Sequence, residues 1–571
     1  MITNLDRIGE DSVFDFIVVG AGAGGLAASL FAAIAGKSVL LVERTEYIGG
    51  TTALSAGTTW IPNSLHAASV NPGDNPDAVR RFLDGVVGNF ARTSLREAFL
   101  EAGPKAIATL EAQSDVKFRP YKLHPDYEQQ VEGATLNGRA LEPLPFDGRA
   151  LGDAFPAVRP PIPEFTILGG MMVDRTDINH LLAIRKSRDS FLHASRILAR
   201  YGLDRLSHKR GTRLVMGNAL VGRFLLSLQK RGVSILTNTS VKAFLTAAGG
   251  VEGVELSSGP ISCRVKARLG VVLAAGGFGR DPKRRAEMLP APTPEFSPAA
   301  PGHTGEMQAL ALALGARIAE GGADNAFWAP VSVRKRGNGS TAVFPHFVLD
   351  RSKPGTVCVD QSGRRFVNES SSYHVFARAM FEHNRTTPCI PCFLVADADG
   401  LRKYGLGMVR MGTRNLKPYR DDGYLISADS IAGLAAKLGV DAANLEATVA
   451  DMNRYAETGV DLQFGRGTTA YHRVNGDASH GPNPTLGPIR KAPFYAVRLY
   501  PGDIGAANGL VIDEDARVTK AGDAPISRLY ACGAEAASIM GGTYPGPGIT
   551  IGPAIVFAYR AVQNALRAEA A

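Results

Sequence analysis

The stretch SIMGGTYPGPGITIGPAIVF, Ser538–Phe557, sets a single phenol, Tyr544, between a glycine pair and two proline–glycine pairs. A phenol can donate and accept a hydrogen bond. Clustered glycines mark tight turns and close approach of backbone to a ligand. The same pattern also describes a tyrosine packed on an ordinary surface loop. The elements that surround such a loop therefore decide its chemistry.

A second chemical motif opens the chain. In FDFIVVGAGAGGLAASLFAAIAGKSVLLVER, the apolar run Phe14–Val19 reads as a buried parallel strand. Gly20, Gly22 and Gly25 form GxGxxG, with Gly24 inside it, and Leu26–Ala35 reads as a helix that Gly36 stops. Ser38–Val42 reads as the next strand, closed by Glu43 and Arg44. The first glycine permits the turn, the second admits a pyrophosphate, and the third lets helix and strand pack. The helix N-terminus offers N–H groups to the phosphates, and Glu43 stands where a carboxylate binds ribose hydroxyls.

A further Gly-rich loop follows at once, Gly49–Trp60 (GGTTALSAGTTW), with Gly49, Gly50, Thr51, Thr52, Ser55, Ala56 and Gly57 as its candidate contacts. Its closeness suits a flavin lying extended. LGVVLAAGGFGRD (Leu269–Asp281) reads as a strand ending at Ala275, Gly276 and Gly277, and RLYACGAEAAS (Arg528–Ser538) as one ending at Gly533 and Glu535. Three strand-to-glycine junctions would bring backbone to one edge of a parallel sheet, where cofactors bind.

Composition bounds the rest. The 571 residues are 45% hydrophobic and 20% charged, with net charge +9, 64 glycines and five cysteines. The length implies more than one domain or a large insertion. The cysteines are too few and scattered for a disulfide framework, and Cys389-Ile-Pro-Cys392 lacks the second pair or histidine that a zinc site needs. MITNLDRIGEDS has no apolar leader segment, so the expected setting is reduced and cytoplasmic. No nucleic-acid module, metal-ligand set or internal repeat is legible.

Taken together, GAGAGG, GGTTALSAG, AAGGF and CGAEA resemble the flavoprotein family that includes fumarate reductases and 3-ketosteroid dehydrogenases. The resemblance covers nearly the whole chain. It implies an α/β fold: a Rossmann-like FAD-binding domain of the glutathione-reductase type, made from residues 1–295 and 500–571, with an inserted α+β catalytic domain at 296–499. Fumarate reductases carry an Arg in the C-terminal Gly-rich loop, but no Arg lies between Arg528 and Arg560. Gly49–Trp60 has no His to tether the flavin, so FAD is expected to be non-covalent.

The 3-ketosteroid Δ1-dehydrogenases match better. Their YPGPG loop is Tyr544–Gly548, their RRFVNE…Y segment is Arg364–Tyr373, and their PDY segment is Pro125–Tyr127, followed by Gly138-Arg139. The resemblance implies that Tyr544 and the N–H of Gly548 polarise a C3 carbonyl and that Tyr373 takes the C2 proton. Tyr127 would tune or relay, with Tyr121 as its rival, while hydride leaves C1 for flavin N5. A phenol suits a greasy pocket better than a carboxylate, and donors can lower its pKa. Ile549, Thr550 and Ile551 would open a helix, Ile549–Leu566, aimed at the isoalloxazine. Dehydrogenation or reduction of another bulky enone, including Δ4-(5α) chemistry or a fumarate-reductase-like activity, is the alternative. No second GxGxxG serves a nicotinamide, so the implied partners are a 3-ketosteroid and an external acceptor such as a quinone. His303 could border the flavin, and Trp60 and Trp328 read as core or pocket wall.

One segment, about 156–213, is longer than the pattern needs. Asp174–Arg213 holds ten Lys/Arg against four Asp, and Phe191, Ala194, Leu198 and Tyr201 recur at helical spacing. Two readings stand: an amphipathic helix packed on the FAD domain with its basic face in water, and a monotopic anchor meeting anionic lipid at the inner face of the membrane. Pro290–Gly302 reads as a linker and Pro482–Asp503 as the return crossing.

Overall fold

The computed structural model describes residues 2–247, 250–347 and 350–570. Its larger sheet has nine strands drawn from both ends of the chain. Ser12–Val19 lies parallel between Val39–Val42 and Ile261–Leu273, and Pro525–Ala531 runs parallel on the far side of the latter. The registers Val19↔Val42, Leu273↔Val19 and Leu273↔Ala531 bring four strand ends level. Phe16, Ile17, Val18, Leu40 and Leu41 are wholly buried, as strands covered on both faces must be. The Ala-rich helix Ala23–Ile34 begins three residues earlier than the sequence suggested. It packs beside the terminal helix Ile551–Ala570, with the Phe31 and Tyr559 rings 5.1 Å apart.

A second, antiparallel sheet of six strands lies between residues 326 and 506. Its central strand, Phe494–Ala506, pairs with Ala326–Lys335 on one side and Cys392–Ala396 on the other. The segment read as a return crossing thus supplies this strand, which runs past residue 500. Cys358, Cys389 and Cys392 are buried in the same apolar core, as free thiols.

The stretch from Pro163 bridges the two sheets. Phe165 meets Phe344 and Phe347, and Glu164 pairs with Arg336. Two helices follow, Arg175–Leu182 and Arg188–Asp204. The second buries Ser190, Ala194, Ile197, Tyr201 and Asp204, whereas Phe191 is 56% exposed. Ala194 and Tyr201 of the expected stripe are buried and Leu198 packs half-buried beside Met171 and Val173, joined by Ile197, so only Phe191 falls outside it. No helix among the described residues is long and apolar enough to cross a membrane.

Candidate active site

The glycine turn is fixed by sterics. A Cβ on Gly20 would lie 2.3 Å from the Ala274 carbonyl oxygen, and one on Gly25 only 1.7 Å from that of Gly20. Gly22 caps the helix, and a Cβ on Gly24 would meet the Cys532 sulfur at 2.9 Å. Glu43 sits at the turn, accepting from the N–H groups of Ala21 at 3.0 Å and Thr45 at 2.9 Å. Arg44, beside it, bonds Thr304 and pairs with Glu306 at 3.3 Å.

The second loop folds back on the first. Gly49 N–H donates to the Ala21 carbonyl (2.8 Å), and the Thr52 hydroxyl accepts from Ala23 N–H (3.0 Å). Thr51 accepts from Ala300 N–H and lies 3.3 Å from His303 Nε2. Gly50 and Gly57 take positive φ, Ser55 closes the turn onto Thr52, and Ala56 is exposed.

At the level strand ends, Gly276 and Gly277 both have positive φ, and Gly277 N–H donates to Glu535 Oε2 at 3.0 Å. Ala275 precedes them, half-buried. Gly533, Ile549 and Thr550 line a partly open pocket together with Phe327, at the start of the terminal helix that Ile551 opens.

Two orphaned atoms test whether a cofactor fits. Glu535 Oε1 and His303 Nδ1 are buried without a partner among the described residues. Burial pushes the Glu535 carboxyl up to about 7 and the His303 imidazole down to about 4. Buried polar atoms without partners are costly, and a ligand bearing hydroxyls and ring nitrogens would satisfy them. The turn, the acidic strand end and the polar second loop fit FAD.

The tyrosines converge from three distant segments. The Tyr127 and Tyr373 hydroxyls share a 3.2 Å hydrogen bond. The Tyr544 ring centroid lies 5.6 Å from Tyr127 and 5.1 Å from Tyr373. Tyr121 instead turns to the Thr58 hydroxyl at 3.2 Å. Phe327 and Phe347 wall the cluster. Gly548, at φ +91°, presses against Thr58, where a Cβ would come within 2.5 Å of the carbonyl oxygen.

Burial raises every phenol of the cluster: Tyr544 to about 12, and Tyr127 and Tyr373 well above the ordinary range. None of the three is lowered on balance. Desolvation outweighs the hydrogen bonds between phenols, and all three are held neutral.

Each tyrosine is pinned by buried charge. Trp60 Nε1 donates to Asp126 at 3.0 Å, and Arg139, 1% exposed, bridges Asp126 (2.8 Å) and Asp74 (2.7 Å). Tyr127 N–H then donates to the Pro545 carbonyl at 2.8 Å, stitching this loop to that of Tyr544. Arg365 bridges Glu369 and Asp461, each at 2.8 Å, just before Tyr373 opens the helix Tyr373–His383. This explains the Asp, Arg and Glu in the quoted motifs. Sequence reasoning missed Tyr471, whose ring lies 4.8 Å from Tyr127. Nothing in AYHRVN sets it apart.

Residues 15–551 match the family described as FAD binding domain. The chain is 36% identical over 560 residues to the 4-oxocyclohex-2-ene-1-carboxylate 5-dehydrogenase of Sinomonas cyclohexanicum, covering 98% of this chain and 94% of that one. It is 34% identical to the 3-oxosteroid 1-dehydrogenase of Mycobacterium tuberculosis, over 96% and 97% of the two chains. The crystal structure of the 3-ketosteroid Δ1-dehydrogenase of Sterolibacterium denitrificans, in complex with 1,4-androstadiene-3,17-dione, superposes with a TM-score of 0.91 at 34% identity, covering 98% and 100%. A flavocytochrome c3 fumarate reductase shares the fold at 19% identity, with a TM-score of 0.62. The chain belongs to the FAD-binding family that it shares with the 3-oxosteroid 1-dehydrogenases, and it is an FAD-dependent oxidoreductase.

Proposed function

We propose that the chain desaturates C1–C2 of the A ring of 3-ketosteroids. The observation that carries this reading is the convergence of Tyr127, Tyr373 and Tyr544, with two hydroxyls 3.2 Å apart. The C2 hydrogen of a 3-ketone is acidified only by the neighbouring carbonyl, so donors must face that oxygen as charge develops on it. Tyr544, held neutral at about 12, is a donor of this kind, and the N–H of Gly548 is the second. Tyr373, having first lost its own proton to solvent by way of Tyr127, accepts the C2 proton as a phenolate, with Tyr127 hydrogen-bonded to it to share the charge. FAD, bound non-covalently, supplies the two-electron acceptor for the hydride that leaves C1. An external acceptor such as a quinone then takes the electrons.

Androst-4-ene-3,17-dione with an artificial acceptor should yield the Δ1 chromophore, and Tyr544→Phe should lower kcat about 10²-fold or more while retaining flavin. Turnover of 4-oxocyclohexanecarboxylate but not of the steroid would replace this reading. A relative at 33% identity is named for that substrate.

We also infer that the insertion rests on anionic lipid. Leu182, Phe191, Leu192, Leu203 and Leu206 are 56–83% exposed on its two helices. Arg185, Lys186, Arg188, Arg196 and Lys209 are exposed there too. Apolar side chains among cations suit a headgroup boundary. The purified protein should float with vesicles containing phosphatidylglycerol, and deletion of 174–213 should abolish flotation; unchanged flotation ends the idea.

A further inference from the structure

A fourth phenol stands behind the reacting pair. Tyr471, in the short helix Ala470–Asn475, is 2% exposed. Its ring lies 4.8 Å from that of Tyr127, tilted by 52°. Its hydroxyl has no hydrogen-bond partner among the described residues. A buried hydroxyl without a partner is costly, so phenylalanine would serve packing better.

Behind Tyr471 lies a buried cation. Arg351 is 0% exposed, and no carboxylate among the described residues pairs with it. Its guanidinium is held by backbone carbonyls instead: His346 at 3.0 Å, Glu369 at 2.6 Å, Ser371 at 3.3 Å, and Phe347. The neighbouring acids are turned elsewhere, Asp350 to His346 at 2.6 Å and Glu369 to Arg365 at 2.8 Å. The backbone that holds Arg351 carries Phe347, whose ring is 5.0 Å from Tyr373, and ends at Ser371, two residues before it. The guanidinium lies over the Phe376 ring, 4.5 Å from its centroid, and its charge reaches Tyr471.

This matters because the pair must become anionic. Once a proton has to be taken from carbon, Tyr127 and Tyr373 together hold one negative charge in a site whose burial opposes it. We propose that Tyr471 is a positioning residue of the proton-abstracting pair, its hydroxyl finding a partner only when the pair is charged, directly or through one water, with Arg351 behind it as the compensating cation. The inference rests on the reading of Tyr373 and Tyr127 as that pair. Five groups face Tyr471: Arg351, which favours its ionised form, Glu128 and Tyr544, which oppose it, and the rings of Tyr127 and His472.

The test is Tyr471→Phe in the FAD-loaded protein. A hydroxyl that packs and nothing more predicts an equal or higher Tm with kinetics unmoved. A positioning role predicts the same Tm and flavin content, with kcat lower by about tenfold, KM within about twofold, and the acid limb of the kcat–pH profile moved upward. Without substrate, the near-ultraviolet tyrosinate titration should lose more than one phenol's worth of its late portion, since Tyr127 and Tyr373, already above the ordinary range, would titrate later still. An unmoved pH profile overturns the proposal, and so does a rise in KM alone, which would make the hydroxyl a substrate contact. The tyrosinate titration needs no steroid. Failure of steroid turnover would therefore strike the substrate reading and leave this result standing.

Discussion

Two buried ion-pair clamps stand beside Tyr127 and Tyr373, the pair proposed to take the proton, and they differ in proton affinity. On the Tyr127 side, Arg139 bridges Asp74 and Asp126. Burial pushes the Asp126 carboxyl up to about 6, although Arg139 and the Trp60 N–H pull it down. On the Tyr373 side, Arg365 bridges Glu369 and Asp461, and Arg466 adds a contact at 3.3 Å to Glu369. There burial also works upward, but the Arg365 hydrogen bonds and charge win, and Asp461 falls to about 2. One arginine serving two carboxylates thus gives two results. The difference lies in the donors. Asp461 accepts from Arg466 and Gln463 N–H groups as well as from Arg365, whereas Asp126 has one backbone donor, Thr135. The carboxylates of the Tyr373 clamp thus stay ionised at neutral pH, whereas Asp126 of the Tyr127 clamp takes up its proton at about 6, just below it.

The largest break in this comparison is Arg365→Met. It leaves Glu369 and Asp461 buried, charged and facing each other, and removing one partner of a buried pair costs about 3–5 kcal/mol. At about 2 cal/mol/K of unfolding entropy per residue, a chain of 571 residues loses only about 1 °C per kcal/mol, so Tm should fall by roughly 3–5 °C, or the protein should be recovered insoluble. Arg139→Met should cost less, about 1–3 kcal/mol, because Asp126 escapes by taking up a proton. Its signature is kinetic: Tyr127 loses its anchor to the Pro545 loop, so kcat should fall more than Tm predicts. Equal melting shifts for the two variants would show that the clamps do not differ.

Much of the cofactor cradle was legible, because a turn that puts Gly25 within 1.7 Å of a carbonyl oxygen admits no other residue and leaves its mark on the sequence. The tyrosines were legible only through their resemblance to known motifs, since nothing local distinguishes Tyr127 from Tyr121. The clamps were not legible. Arg365 meets Asp461 across 96 residues and Arg139 meets Asp74 across 65, distances over which no spacing rule acts. The strand Phe494–Ala506 was hidden by the prolines that flank it. The insertion's stripe was legible at Ala194, Leu198 and Tyr201 but not at its start, since Phe191 fits helical spacing as well as Ser190 does and only tertiary packing turns Phe191 outward.

The smallest effect sharpens the comparison furthest. Asp126→Asn keeps an oxygen for the Trp60 N–H and removes the titration, together with the oxygen that accepts from Arg139 and the Thr135 N–H. In the folded protein Asp126 binds its proton up to about 6, against about 3.9 for an unfolded aspartate. The folded state therefore holds more protons between these values, so this group's stabilisation is full below about 4 and is lost as pH rises through about 6. Asp461, depressed to about 2, acts in the opposite sense, contributing above about 4 and losing its contribution as pH falls through about 2. In Asp126→Asn the loss of Tm between pH 4 and 7 should be smaller than in the wild type, while the acid-side loss below pH 4, set by Asp461, should remain. Parallel Tm–pH curves for the two proteins would mean that Asp126 stays ionised throughout, and that Arg139 outweighs burial on the Tyr127 side just as Arg365 does on the other.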